Sequence, residues 1–239
     1  MSQHLRAKLY INMTSGVSEI LSTQVESTFF QAMPHVGLQF CTLPLAQVLP
    51  SLFDGEIDLA IGVAPSTLPS EMFRHAPILT YSMIAMSKNR VVGNHYTVNL
   101  ISEHPWLVHS PDDYSSQQTI ETLCRHGVAS DNIEIVATKK EMLSRLSHGD
   151  FLGLGPLPLY ADALQDGIVE NLCPGAPLAW KTISIISSRD SLPLSPASDC
   201  LRDCLTRAAK PYILLEKSAG FQISYPFHTD VLSRQRHGS

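Results

Sequence analysis

The chain offers several residue types that could do chemistry, and their spacing decides which of them could do it together. Five cysteines, Cys41, Cys124, Cys173, Cys200 and Cys204, are odd in number, scattered and without CxxC spacing. That pattern suits a reducing compartment better than a disulfide framework or a zinc site. Cys41 falls at the end of a predicted strand just before a helix, where a helix dipole could activate a thiol. A buried, inert cysteine is the stronger reading of it. A serine hydrolase would need a G-x-S-x-G elbow after a strand, and the sequence has none. His104 and His109 lie five apart across Pro105, while His126 and His148 stand alone. No HExxH pattern pairs them, so no metal site is read. The stretch GDFLGLG, 149–155, is rich in glycine but lacks the lysine of a phosphate-binding loop, and reads as a close-packed strand near a ligand cleft. No catalytic residue and no cofactor are assigned, and an enzyme is not expected.

One acidic stretch remains, DGEIDLAIG at 54–62. Gly55 suits the left-handed cap of a preceding helix, and Asp58 opens an apolar run. Such an acid more often ties down a turn than attacks a substrate.

The elements around these residues follow a regular grammar. Lys8–Met13 alternates as a buried strand, broken by Thr14, Ser15 and Gly16. Apolar residues from Val17 to Met33 recur at helical spacing until Pro34. Val36, Leu38 and Phe40 form a strand, Leu43-Pro44-Leu45 leads into a helix reaching Phe53, and Ile57–Val63 is a continuous apolar strand. Strands are further predicted over Ile78–Met86, Leu107–His109, Ile133–Ala137, Gly149–Gly155 and Trp180–Ser187. Helices are predicted over Gln117–Arg125, Lys139–Leu146 and Pro196–Leu215. Strand and helix alternating in this way predict parallel sheets with crossover helices. The predicted fold class is α/β, with two Rossmann-like lobes joined by two crossover strands, Ile78–Met86 and Trp180–Ser187. The first lobe is expected over 5–84 and 188–216, the second over 85–187, and a C-terminal tail over 217–239.

The 239 residues are 44% hydrophobic and 16% charged, ample for a buried core and unlike a disordered chain. A net charge of −5 argues against this chain gripping a phosphate backbone by itself. The start, MSQHLRAKLYINM, has no apolar signal region, and no run of about 18 apolar residues exists. A cytoplasmic protein without a membrane partner is expected.

Taken in order, several stretches resemble the effector-binding domain of LysR-type transcriptional regulators. They are AMPHVGLQF (32–40), LFDGEIDLAIG (52–62), LSHGDFLGLGP (146–156) and SSRDSLPLSPASDCLRDCL (187–205). The resemblance covers roughly Leu5 to Leu215. It implies a periplasmic-binding-protein-like fold that senses a small-molecule effector between its lobes. It also implies a homodimer or tetramer, with Val17–Met33 of one copy pairing antiparallel with Gln117–Arg125 of another. DNA would be bound only through an N-terminal winged helix-turn-helix, and this chain starts almost directly with the first effector-domain strand. A stand-alone solute-binding protein for a small organic anion is the alternative.

The residues then suggest where an effector would sit. In such folds ligands lie at the carboxyl ends of strands. Thr14 and Ser15, with the free N–H groups of the following helix, make an anion receptor. His109 and Ser110 would face them from the second lobe, with Thr138, Phe151 and Gly153 nearby. Leu43, Pro44 and Leu45 would add an apolar wall. The expected ligand is a small organic acid with an apolar or aromatic body.

Overall fold

The computed structural model describes residues 7–88, 102–109, 113–174, 176–191 and 195–218. Strand β1 (Ala7–Met13) leads into helix α1 (Ser15–Ala32), followed by β2 (Val36–Cys41), α2 (Leu45–Phe53) and β3 (Leu59–Val63). The long strand β4 (Phe73–Ser87) then precedes β5 (Trp106–His109), α3 (Asp113–Arg125), β6 (Ile133–Val136), α4 (Lys139–His148), β7 (Leu152–Pro156) and α5 (Leu157–Gln165). The chain closes with the short β8 (Glu170–Asn171), the long β9 (Ala179–Ser188) and α6 (Pro196–Ser218).

The strands form one sheet in the order β2-β1-β3-β9-β4-β7-β5-β6, with β8 paired to β4. Both ends of the sheet are parallel: β1 pairs with β2 and β3, and β5 with β6 and β7. The centre is antiparallel, where β4 runs against β9 from Phe73↔Ser188 to Met83↔Ala179. Two parallel units are therefore joined through one antiparallel ribbon. β9 also pairs with β3 over Ile183–Ile186, and β4 with β7 over Met83–Met86.

Helix α1 forms because Val17, Ile20, Leu21, Val25 and Phe29 share one face, and all five are buried. They join a core that runs through the sheet to Trp106, Leu154 and Tyr160. A smaller cluster lies under α2, built by Val48, Leu52, Ile57, Ala60, Phe73 and Ile186. The acidic stretch at 54–62 is architecture. Asp58 Oδ2 accepts from the Tyr10 N–H at 2.7 Å. The Asp58 N–H donates to the Tyr10 carbonyl at 2.9 Å, which closes the mouth of the β1–β3 ladder. Gly55 takes φ 74°, as a left-handed cap requires.

Several elements depart from the sequence expectation. Helix α5 was not among the expected elements, although Pro156 marks the end of the preceding strand. Proline fits the first turn of a helix, where its missing N–H costs nothing. Strand β4 starts at Phe73 rather than Ile78, since its first turns past Arg74 and His75 are exposed and Pro77 interrupts the apolar pattern. Helix α6 continues through Ser218, and the rest of the expected tail lies outside the described residues.

Gly155, on β7, makes room for the fully buried Tyr160: a Cβ there would run into the Tyr160 ring. Overpacking of this kind costs about 1–3 kcal/mol. Gly155→Ala should therefore lower Tm by several degrees, read by calorimetry. An unchanged Tm would mean that Tyr160 can move aside freely.

Candidate functional site

A cavity of about 30 Å³ lies where the carboxyl ends of four parallel strands meet the central ribbon. β1 contributes Thr14 just past its end, and α1 then adds Gly16, Val17 and Ile20. β3 ends there at Val63, β5 at His109 and β7 at Pro156. The central ribbon supplies Tyr81 and Met83 from β4 and Lys181 from β9. Tyr81 and Lys181 are cross-strand partners, so both project to the same face of the sheet. The parallel strands thus deliver their carboxyl ends to one point, the usual ligand position in α/β sheets.

The polar groups at this point are unusual for a buried place. Thr14 is the N-cap of α1, yet its hydroxyl makes no capping bond. The first helical bond of α1 runs from the Ser18 N–H to the Thr14 carbonyl at 2.9 Å. The preceding N–H groups are left at the helix end without an intrahelical acceptor. No acidic residue stands in the first turn to answer their partial positive charge. Gly62 allows Thr14 to sit close to β3, since a Cβ there would lie 3.0 Å from the Thr14 methyl.

His109 is 4% exposed, and neither of its ring nitrogens has a hydrogen-bond partner. Its ring meets Tyr160 edge to face, with centroids 5.9 Å apart. Burial pushes the imidazole below its ordinary pKa; the Ala137 backbone pulls weakly the other way, without reaching hydrogen-bond geometry. The ring is therefore neutral, with one donor and one acceptor nitrogen. The Tyr160 hydroxyl is likewise buried and unpartnered, and burial, reinforced by the Glu19 charge, raises its pKa far above the usual range. Lys181 is 7% exposed and donates from Nζ to the Thr119 hydroxyl at 2.7 Å. A buried ammonium, a neutral imidazole and a helix N-terminus thus converge on one cavity. Such a set can take an anion that also accepts or donates a hydrogen bond.

The structure distributes the residues expected from the sequence unevenly. Thr14 and His109 line the cavity, while Ser15, Leu43, Pro44, Thr138, Phe151 and Gly153 do not. Ser110 lies outside the described residues. Leu45 opens α2. Thr138 caps α4 by accepting from the Glu141 N–H at 3.2 Å. Phe151 carries the Arg145 guanidinium 4.8 Å above its ring. Gly153 is pressed against Met142 and Leu146, where a Cβ would crowd both. The Leu43 N–H is held by Asn12 Oδ1 at 2.8 Å, which fixes the entry to α2. Burial raises the Cys41 thiol, whose Sγ donates toward the Ile11 carbonyl at 3.5 Å, as expected of an inert cysteine.

Lys181 is the main residue that sequence reasoning missed. Its signal was present: a lone cation inside the apolar run WKTISIIS. At the rim of the same region, Lys139 on α4 pairs with Asp162 on α5 at 2.6 Å, holding the Asp162 carboxyl below its ordinary pKa. Among the described residues there is no group of three or more metal-ligating side chains, and no helix is long and apolar enough to cross a membrane.

Comparison with known proteins agrees with this architecture. Residues 2–210 match the family model described as LysR substrate binding domain. The regulatory domain of MetR from N. meningitidis superposes with a TM-score of 0.68 at 12% identity, covering 86% of this chain and 96% of that one. Full-length BenM gives 0.67 at 16% identity over 92% of this chain and 70% of its own. A sulfate-bound mutant OxyR2 regulatory domain from Vibrio vulnificus gives 0.65 at 11% identity, covering 88% and 98%. A search of curated proteins finds no match. With its cleft at the strand ends and the family model spanning most of its length, the chain belongs to the LysR substrate-binding domains, the effector-binding regulatory part of LysR-type transcription regulators.

Proposed function

We propose that this domain senses a small organic anion, held between the α1 N-terminus and the Lys181 ammonium and oriented by His109. The observation that carries this reading is His109: a buried imidazole with two unpartnered nitrogens, beside a buried cation and an uncompensated helix end. Leaving the His109 nitrogens and the Tyr160 hydroxyl buried without partners is costly, and a ligand with a carboxylate and a second polar group would satisfy the imidazole while adding an acceptor for the cation. Val17, Ile20, Val63 and Met83 would bound its apolar side. A space of about 30 Å³ suits a few waters or a compact acid group. An aromatic acid would need the lobes to part, with the first over 5–84 and 188–216 and the second over 85–187. A relative obtained sulfate-bound is in keeping with an oxyanion as the recognised group.

In this reading the domain acts in the cytoplasm within a homodimer or tetramer. Ligand binding shifts the lobe arrangement by its differential affinity for the two arrangements. The DNA contacts belong to the helix-turn-helix part of the full regulator. Pairing of α1 with α3 of a second copy should give a dimer in analytical ultracentrifugation over a concentration series. A monomer at every concentration would contradict it.

The anion reading is tested with a panel of small carboxylates and sulfate, first by thermal shift and then by calorimetry. Losing a charge-assisted hydrogen bond costs about 1.5–3 kcal/mol, roughly ten- to a hundred-fold in affinity. Lys181→Met should lose binding by that factor, and Thr14→Val by less. An acid that binds wild type and both variants equally would place the site elsewhere.

His109 also sets a pH dependence for the ligand-free protein. Its folded pKa lies below its unfolded value, so the native state resists protonation there. The corresponding stability is present above the ordinary histidine range near pH 6.5 and is lost as pH falls through it. Melting curves between about pH 7.5 and 5.5 should show a steeper loss for wild type than for His109→Gln. Parallel losses would mean that His109 is not held neutral by its surroundings.

A further inference from the structure

The cavity and helix α3 share one side chain. Lys181 lines the cavity, and its ammonium donates to Thr119 on α3 at 2.7 Å. Both residues are buried, Lys181 at 7% and Thr119 at 2% exposure. The inward face of α3 is itself odd. Its buried positions with described side chains run Ser116, Thr119 and Leu123, so two of the three are hydroxyls. Helix α3 lies directly after β5, whose last residue, His109, lines the same cavity.

We propose that Lys181 carries cleft occupancy to α3, its ammonium serving Thr119 in one arrangement and a bound anion in the other. This rests on the anion reading given above and adds the route by which the signal leaves the cleft. An ammonium is a compact charge with three rotatable donors on a flexible stem. An anion in the cavity competes for those donors and draws the charge away from Thr119. Helix α3 then loses a buried charged bond and loosens against the central ribbon. Coupling is reciprocal: the factor by which a bound anion weakens the Lys181–Thr119 bond is the factor by which that bond weakens anion binding. Thr119 is thus a positioning residue that never touches the ligand.

The test uses the full chain, with sulfate and then acetate as probes, and follows amide exchange of α3 alongside affinity. In wild type, saturating anion should speed exchange within 113–125. Thr119→Val should exchange fast there without anion, respond little to it, and bind it roughly five- to ten-fold more tightly, the lower end of usual coupling factors. Thr119→Ser keeps the hydroxyl and should behave as wild type. Should Thr119→Val fail to fold, Lys181→Met, which also weakens anion binding, tests the bond from its other end: without anion, 113–125 should exchange fast, and exchange as slow as in wild type overturns the proposal. Anion binding in wild type without a change in α3 overturns this proposal and leaves the anion reading intact. So does a Thr119→Val protein that keeps the wild-type response. Absence of binding by either probe overturns both.

Discussion

The antiparallel ribbon of β4 and β9 is the constraint on which the rest of this structure depends. It joins two parallel units that would otherwise share little backbone bonding, and its register fixes which side chains face the cleft. Leu79, Tyr81 and Met83 stand opposite Ile183, Lys181 and Ala179. Shifting the ribbon by one residue would turn Lys181 and Tyr81 to the opposite face and abolish the site. The alternate residues lock that register: the Thr80 and Thr182 hydroxyls lie 3.0 Å apart. Glu216, fully buried on α6, accepts the Ser82 N–H at 2.9 Å beside the point where β7 pairing begins. Burial raises that carboxyl above its ordinary range, so α6 is tied to the ribbon by a group that tolerates little change around it.

Buried polar groups in this protein differ in whether they are bonded, and the unbonded ones among the described residues are Ser82 Oγ and Glu216 Oε2 at the α6 contact, and His109 and the Tyr160 hydroxyl near the cavity. Asn12 is 3% exposed, and its Oδ1 accepts the Leu43 N–H and lies 4.0 Å from the Cys41 thiol. Asp58 closes one end of the β1–β3 ladder through both its side chain and its backbone. These groups are employed in holding the chain. His109 and the Tyr160 hydroxyl are buried as deeply and have no hydrogen-bond partner. Their edge-to-face contact orients the imidazole without using either nitrogen. The proposed ligand would meet that cost at His109.

Much of the fold was legible because its signals are local. The helical spacing of Val17 to Phe29, the proline after Met33 and the apolar runs of β3 and β9 each follow from short-range periodicity. The left-handed Gly55 and the structural role of Asp58 could be argued from the cap alone. Helix α5 was hidden because two prolines carry opposite meanings in a helix interior and in its first turn. The site was half legible. Thr14 and His109 sit at the ends of predicted strands, and strand ends gather in this fold. Lys181 required knowledge of β4–β9 register, a pairing across about a hundred residues that no periodicity encodes. Thr138 and Phe151 were placed near the cleft from their positions at a helix start and on a strand; in the structure the first caps α4 and the second stacks under Arg145, and neither lines the cavity.

The central claim is that the unpartnered imidazole of His109 belongs to an anion site. Nitrogen NMR of the histidine rings, recorded during titration with a binding carboxylate, tests it most directly. The account predicts one ring with a low pKa in the ligand-free domain, whose two nitrogen shifts move with saturation of the ligand and are missing in His109→Gln. Ligand binding that leaves the His109 nitrogens unmoved would contradict it.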